Sequence, residues 1–384
     1  MRFIIVLLSI LFIGQSCFAQ KLYQRFADAE MKRFPEAWQL DHGKRLYFGY
    51  GQGLACLAML KVWEATQDQK YFDYVEKWAD TVIRNDGNIH LYKLETYNID
   101  YINPGKILFP LYEKTKKEKY KIAIETLMGQ LKWHPRTHEG GYWHKLIYPH
   151  QIWLDGVYMA APFVAQYGQF TGDTQYYDDA VNHVLLTAKH TFDVKSGLYY
   201  HAWDESKNQM WANKTTGQSP NFWGRSIGWY FMAMLDVLDY IPENHKGRAE
   251  IVQLIQNLAA SLQKYQDKDG LWWQVIDKQR APKNYQEASV NAMFLYSYAK
   301  AMNKGYIGKD YEKLTNKLLK GIQNKLLIKD VGNTLTLIQC NAVAGLGGTP
   351  YRDGGYEYYV NERIRENDAK ANGPFIMGCI EFNK

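Results

Sequence analysis

The chain has 384 residues, 46% of them hydrophobic and 22% charged, with a formal net charge of +6. That is apolar material for one large core or two ordinary ones; the mild positive excess has no Lys/Arg stripe and excludes a nucleic-acid surface. Aromatic residues are the outlier at 15%, with 30 Tyr and 12 Trp, and their flat apolar faces with polar edges suit sugar rings as well as a core.

In chain order, Arg2, the apolar run 3–13 and the small and polar "SCFAQ" predict an export signal over residues 1–19, cleaved after Ala19. The run is too short for a membrane span. Gln15 stands where a lipoprotein signal carries a small or apolar residue, so lipid attachment at Cys17 is not expected. Residues 20–384 are expected to form one domain outside the cytoplasm, in the periplasm or, alternatively, secreted. Cys56, Cys340 and Cys379 remain, too few for a disulfide framework.

Helical spacing of apolar residues then recurs in "GLACLAMLKVWEAT", "YFDYVEKWADTVIR", "YKIAIETLMGQL", "VYMAAPFVAQYGQF", "YYDDAVNHVLLTAKHTF", "IGWYFMAMLDVLDYI", "AEIVQLIQNLAASLQKY", "SVNAMFLYSYAKAM" and "YEKLTNKLLKGIQNKL". Strand-like patches are short: "GLYYHAW", "GLWWQVI" and "NTLTLI". Similar glycine loops fall at Gly87, Gly140, Gly197 and Gly270, separated by 53, 57 and 73 residues. That is the size of a helix pair with its loops. The pattern predicts an all-α fold, an (α/α)6 barrel: a closed toroid of six helical hairpins with short β-like loop patches. An open solenoid is the alternative.

Asp155 is the single acid in "GGYWHKLIYPHQIWLDGVYMAAPF". It fits an N-cap before a helix. With Gln151, Trp153, His144 and Trp143 upstream and Gly156 next, it also fits a poorly solvated carboxyl whose proton is retained near neutrality. Gly156 would admit a ligand. Asp100, in "ETYNIDYINPGKILFPLY", precedes an Asn103-Pro104-Gly105 turn and reads either as a loop residue or as a second carboxylate repelling the charge on Asp155. His144 and His201 read as core or site histidines. Arg225, between Trp223 and Trp229, is either stacked on tryptophan at a helix start or a fork for a carboxylate. Metal spacing, phosphate loops, nucleophile elbows and dinucleotide fingerprints are missing from the sequence.

Together, "YNIDYINPGK", "RTHEGGYWHK", "QIWLDGVYMAAPF", "GLYYHAWD", "FWGRSIGWY" and "NDAKANGPFIMGCIEF" resemble glycoside hydrolase family 105, the unsaturated glycuronyl (rhamnogalacturonyl) hydrolases. The resemblance spans most of the chain and implies the (α/α)6 barrel. It implies Asp155 as catalytic acid, Asp100 as second active-site carboxylate, and His144, His201, Arg225, Trp229, Trp223 and Gln151 as the substrate pocket, with no metal or organic cofactor. Ser226 and Ile227 depart from the Gly-Asn pair common in relatives, a difference that touches subsite detail. The implied substrate is an unsaturated acidic oligosaccharide left by a polysaccharide lyase, its uronic acid linked to rhamnose as in ulvan or rhamnogalacturonan. Glycosaminoglycan fragments, a non-catalytic surface glycan-binding protein and a sugar epimerase on the same toroid are the rival readings.

Overall fold

A computed structural model describes residues 21–329 and 334–384; the expected export signal lies outside the described residues. In chain order the helices are α1 (Leu22–Arg33), α2 (Tyr50–Thr66), α3 (Gln69–Val82), α4 (Leu108–Thr115), α5 (Glu118–Trp133), α6 (Leu154–Thr171) and α7 (Gln175–Thr191). They continue with α8 (Gly224–Leu238), α9 (Arg248–Gln263), α10 (Ala288–Asn303), α11 (Glu312–Gly321), α12 (Tyr356–Asn361) and α13 (Ala369–Phe382).

Two kinds of helix alternate. Every residue of α8 is buried, as are the first fourteen positions of α10; a helix apolar all round belongs inside a larger core. By contrast, α3 buries one stripe, including Tyr71, Phe72, Val75, Trp78 and Val82, and turns its charges outward. The inner helices close a ring. Helix α2 packs on the 3-10 turn Asn103–Ile107 that leads into α4, that turn packs on α6, α6 on α8, α8 on α10, α10 on α13, and α13 returns to α2. Helices α1, α3, α5, α7, α9 and α11 lie outside it, packed on inner neighbours. The fold is the expected helical toroid.

The inner helices run parallel, because their starts meet one another. The Asn103 amide donates to the Tyr50 carbonyl at 2.9 Å, Lys370 lies 5.5 Å from the Tyr50 ring centroid, and Arg225 Nε donates to Ser289 Oγ at 2.7 Å. Their later turns also meet, since Lys300 Nζ reaches Asp236 at 2.6 Å and Asp239 at 2.5 Å. Helix N-termini, each with a partial positive charge, therefore gather at one mouth.

Two local expectations change. "GLWWQVI" makes only isolated bridges, Trp273 to Gln286 and Trp223 to Val275. Its ladder is replaced by one side chain: Asn291 accepts from Trp272 N at 2.9 Å and donates to Trp272 O at 2.8 Å. The Asn103-Pro104-Gly105 turn is the 3-10 start of an inner helix, with proline in the first turn, where its missing N–H costs no hydrogen bond. The cysteines Cys56, Cys340 and Cys379 are free and buried. Among the described residues no helix is long and apolar enough to cross a membrane.

Glycine sets how closely the last helix seats. A Cβ at Gly378 would stand 2.9 Å from the backbone N of Tyr296 on α10 and 3.0 Å from Leu295 Cγ. Gly378→Ala is expected to destabilise the protein by about 2 kcal/mol, a typical overpacking cost, read as a lower denaturant midpoint with an unchanged slope.

Candidate active site

The mouth carries the two acids. Asp155 is the second residue of α6, and Trp153 is the N-cap with no side-chain cap bond. The carboxyl is therefore not spent on capping. It sits in the first turn of the helix, at the mouth. The strand Gln151–Trp153 pairs antiparallel with Ala202–Asp204, Trp153 opposite Ala202. That register brings His201 beside Asp155: His201 Nε2 lies 3.2 Å from Asp155 Oδ2. The imidazole is fully buried, and its Nδ1 is 2.7 Å from the Tyr359 hydroxyl on α12. Trp223 walls the histidine at 4.7 Å between ring centroids and stacks on Tyr359 at 5.8 Å.

Asp100 sits in the 3-10 turn Ile99–Tyr101, held in place by Asn98, whose side chain accepts from the Asp100 N–H at 3.0 Å. Its Oδ2 is 2.6 Å from Lys145 Nζ, and its Oδ1 is 3.7 Å from His144 Nε2. Burial by itself would raise this carboxyl, but the Lys145 ammonium outweighs burial and holds the group below the usual carboxylate range. His144 is pushed down by burial to about 3, so its ring is neutral at neutral pH. Trp153 stacks on the His144 ring at 4.3 Å and 8°, and Tyr148 stacks on Trp153 at 5.0 Å. Gly156 admits this histidine rather than a ligand, for a Cβ there would stand 2.9 Å from His144 Nδ1.

The other expected site residues take supporting places. Gln151 is buried and accepts from Trp153 Nε1 at 3.0 Å, so it fixes the ring that orients His144. Arg225 does not present a free fork. Its Nε donates to Ser289, its Nη2 to Glu287 Oε1 at 3.3 Å and to the Asn341 carbonyl, and Trp223 lies alongside. The protein's own Glu287 is the carboxylate it meets. Trp229 is buried and packs on Tyr158 at 4.7 Å in the main core cluster. Sequence reasoning missed Lys145, Tyr148 and Tyr359. Lys145 had a signal, since it follows His144 within "GGYWHK"; Tyr359, in "YEYYVNER", had none. Among the described residues no group of His, Cys, Asp or Glu is placed to hold a metal ion.

A helical toroid with two acids and buried histidines at its mouth fits an enzyme of the glycoside hydrolase type, and its similarities to known proteins agree. The sequence matches the model of Glycosyl Hydrolase Family 88 over residues 22–384. The fold is similar to a family 105 glycoside hydrolase of C. acetobutylicum, with a TM-score of 0.91 at 40% identity, covering 95% of this chain and 99% of that one. The unsaturated rhamnogalacturonyl hydrolase YesR of Bacillus subtilis is 27% identical over 277 residues, 70% of this chain and 74% of its own length. An unsaturated 3S-rhamnoglycuronyl hydrolase of Formosa agariphila is 25% identical over 177 residues, 44% of this chain and 45% of its own length. The chain belongs to glycoside hydrolase family 105, the unsaturated glycuronyl hydrolases.

Two expectations come from the charges. Lys145→Met should raise the titration midpoint of Asp100, followed by carboxyl carbon NMR. Because the folded value is depressed, the pairing stabilises at pH above the ordinary Asp range, and that contribution fades as pH falls through the depressed value; the variant should lack this acid-side loss. Glu287→Ala strands a buried guanidinium and should cost about 3–5 kcal/mol, measured by chemical denaturation.

Proposed function

We propose that the protein removes the terminal 4,5-unsaturated uronic acid from polysaccharide-lyase products in which that sugar is linked to rhamnose. The observation that carries this reading is the inequality of the two acids. Asp100 is locked as a carboxylate by Lys145, while among the described residues Asp155 has no Lys or Arg within ion-pair reach and has His201 beside it. Ordinary glycoside hydrolysis uses two working carboxyl groups flanking the glycosidic bond. One acid is enough to hydrate an enol ether.

In this mechanism Asp155 gives its proton to C4, and the positive charge develops at C5 and the ring oxygen. Water adds at C5 and returns a proton to the Asp155 carboxylate. The C5 hemiketal opens to a ketone, leaving a hemiacetal at C1. Its collapse to the aldehyde releases the sugar behind. Atoms balance with one water consumed and the acid regenerated. The helix N-termini gathered at the mouth favour an anionic sugar, and the stacked His144, Trp153 and Tyr148 form an aromatic wall beside it. The rhamnose linkage is supported by the names of two relatives, an unsaturated rhamnogalacturonyl hydrolase and an unsaturated 3S-rhamnoglycuronyl hydrolase. We place the enzyme outside the cytoplasm, in the periplasm, on the strength of residues 1–19.

The test follows the ultraviolet absorbance of the unsaturated uronyl group with lyase-digested ulvan and lyase-digested rhamnogalacturonan in parallel. Loss of absorbance with one digest, reduced at least about a hundredfold in Asp155→Asn, is the expected result. No loss with either digest, from folded protein, would shift the substrate to glycosaminoglycan fragments. Failure on a full set of unsaturated disaccharides would leave a glycan-binding protein.

A further inference from the structure

Tyr359 lies outside every motif of the sequence and touches neither acid, yet it ends a chain of contacts that begins at Asp155. Its hydroxyl is 2.7 Å from His201 Nδ1, and the far nitrogen of that ring, Nε2, is 3.2 Å from Asp155 Oδ2. Both Tyr359 and His201 are fully buried. The tyrosine ring cannot swing away. It stacks on Trp223, and its backbone carbonyl accepts from Gln274 Nε2 at 3.1 Å, the same amide group whose oxygen accepts from Trp223 Nε1 at 3.1 Å.

From this geometry we infer that Tyr359 is a positioning residue that holds His201 in the Nε2–H tautomer and thereby assigns different roles to the two oxygens of Asp155. The inference rests on Asp155 being the acid of the proposed reaction. Burial keeps the Tyr359 hydroxyl protonated, well above its ordinary pKa, so it has a proton to donate. The hydrogen-bond partner of that hydroxyl is His201 Nδ1. A neutral imidazole that accepts at Nδ1 carries its proton on Nε2. That N–H faces Asp155 Oδ2 at 3.2 Å, and both atoms are buried with no other hydrogen-bond partner, so Oδ2 is the acceptor left for it. The transferable proton of the acid is then confined to Oδ1, the oxygen left for the substrate. After the proton has gone to carbon, the same N–H steadies the carboxylate, and no proton need leave the histidine. The Nε2 to Oδ2 approach is close but does not yet make a hydrogen bond, and the assigned roles require the contact to tighten once substrate is bound.

Nitrogen NMR of the wild-type protein, without substrate, reads the tautomer directly. The expected spectrum shows His201 with a protonated Nε2 and an unprotonated Nδ1. A protonated Nδ1 in the wild type would overturn the inference whatever the substrate proves to be. Tyr359→Phe removes the hydroxyl alone. With the fold verified by circular dichroism, it should give mixed His201 tautomers and lower kcat about tenfold, the worth of one neutral hydrogen bond, with KM unchanged. An unchanged tautomer in that variant would also sink it, as would a raised KM at constant kcat. Absence of turnover in the wild type on any uronide would count against the proposed function, whereas the wild-type tautomer would still decide whether Tyr359 sets His201.

Discussion

Charge compensation at the mouth is the constraint on which the rest of the molecule depends. Parallel inner helices bring positive helix ends together, and the sequence adds Arg225, Arg365 and Lys370 to the same end. Each cation is matched within the protein. Arg225 meets Glu287, Lys370 lies 2.7 Å from Asp41 and 2.9 Å from Asp368, and Arg365 bridges the same two acids. Such buried pairs add little net stability, because desolvation offsets their attraction. Their effect is geometric: no member can leave without stranding a charge, so the inner helix starts stay in fixed relation. Asp100 and Asp155 stand at the same mouth, and they differ because a separate cation, Lys145, neutralises Asp100.

The aromatic excess has two uses, and they divide by place. Most rings fill the space between inner and outer helices. A few at the mouth hold histidines instead. Trp153 lies flat on His144, and Trp223 with Tyr359 encloses His201. A ring packed this way loses rotational freedom at modest entropic cost and keeps water from the imidazole, which is why His144 stays neutral. The polar groups of the site are thus oriented largely by apolar surfaces.

The toroid was legible because outer helices such as α3 show a clean apolar stripe and because glycine loops recur at the length of a helix pair. Helix α13 was not recognised as an inner helix by pattern. Gly373, Pro374 and Gly378 interrupt the periodicity, and the gaps they leave are filled by neighbours: the Leu54 backbone approaches Gly373, and the Tyr296 backbone approaches Gly378. Packing across the ring, invisible to local propensity, decides that segment. Asp100 and Asp155 stood out through their surroundings in sequence. Lys145 and Tyr359 did not, because the charge that fixes Asp100 and the hydroxyl that fixes His201 are meaningful only through contacts made in space; Tyr359 is 158 positions from its histidine. For Arg225 the sequence left open a stack on tryptophan or a fork for a carboxylate, and its partner Glu287, 62 residues away, could not be read locally.

Closure of the ring has a consequence for the order in which the protein matures. Helix α13 seals the circle against α2, and the seam is stitched by bonds between distant parts of the chain: Asn372 to Glu30, 342 residues apart, and Lys370 to Asp41, 329 apart. A chain being synthesised from its N-terminus holds Asp100 and Asp155 long before it holds Tyr359 or α13. Until then the first inner helix lacks one neighbour, and its apolar flank is uncovered. Long-range contacts of this kind form late and slowly, and nascent chains with uncovered flanks are the ones prone to aggregate. The toroid therefore withholds its finished mouth until α13 has been made, and a chain lacking that helix and α12 has neither a sealed core nor a fully oriented His201.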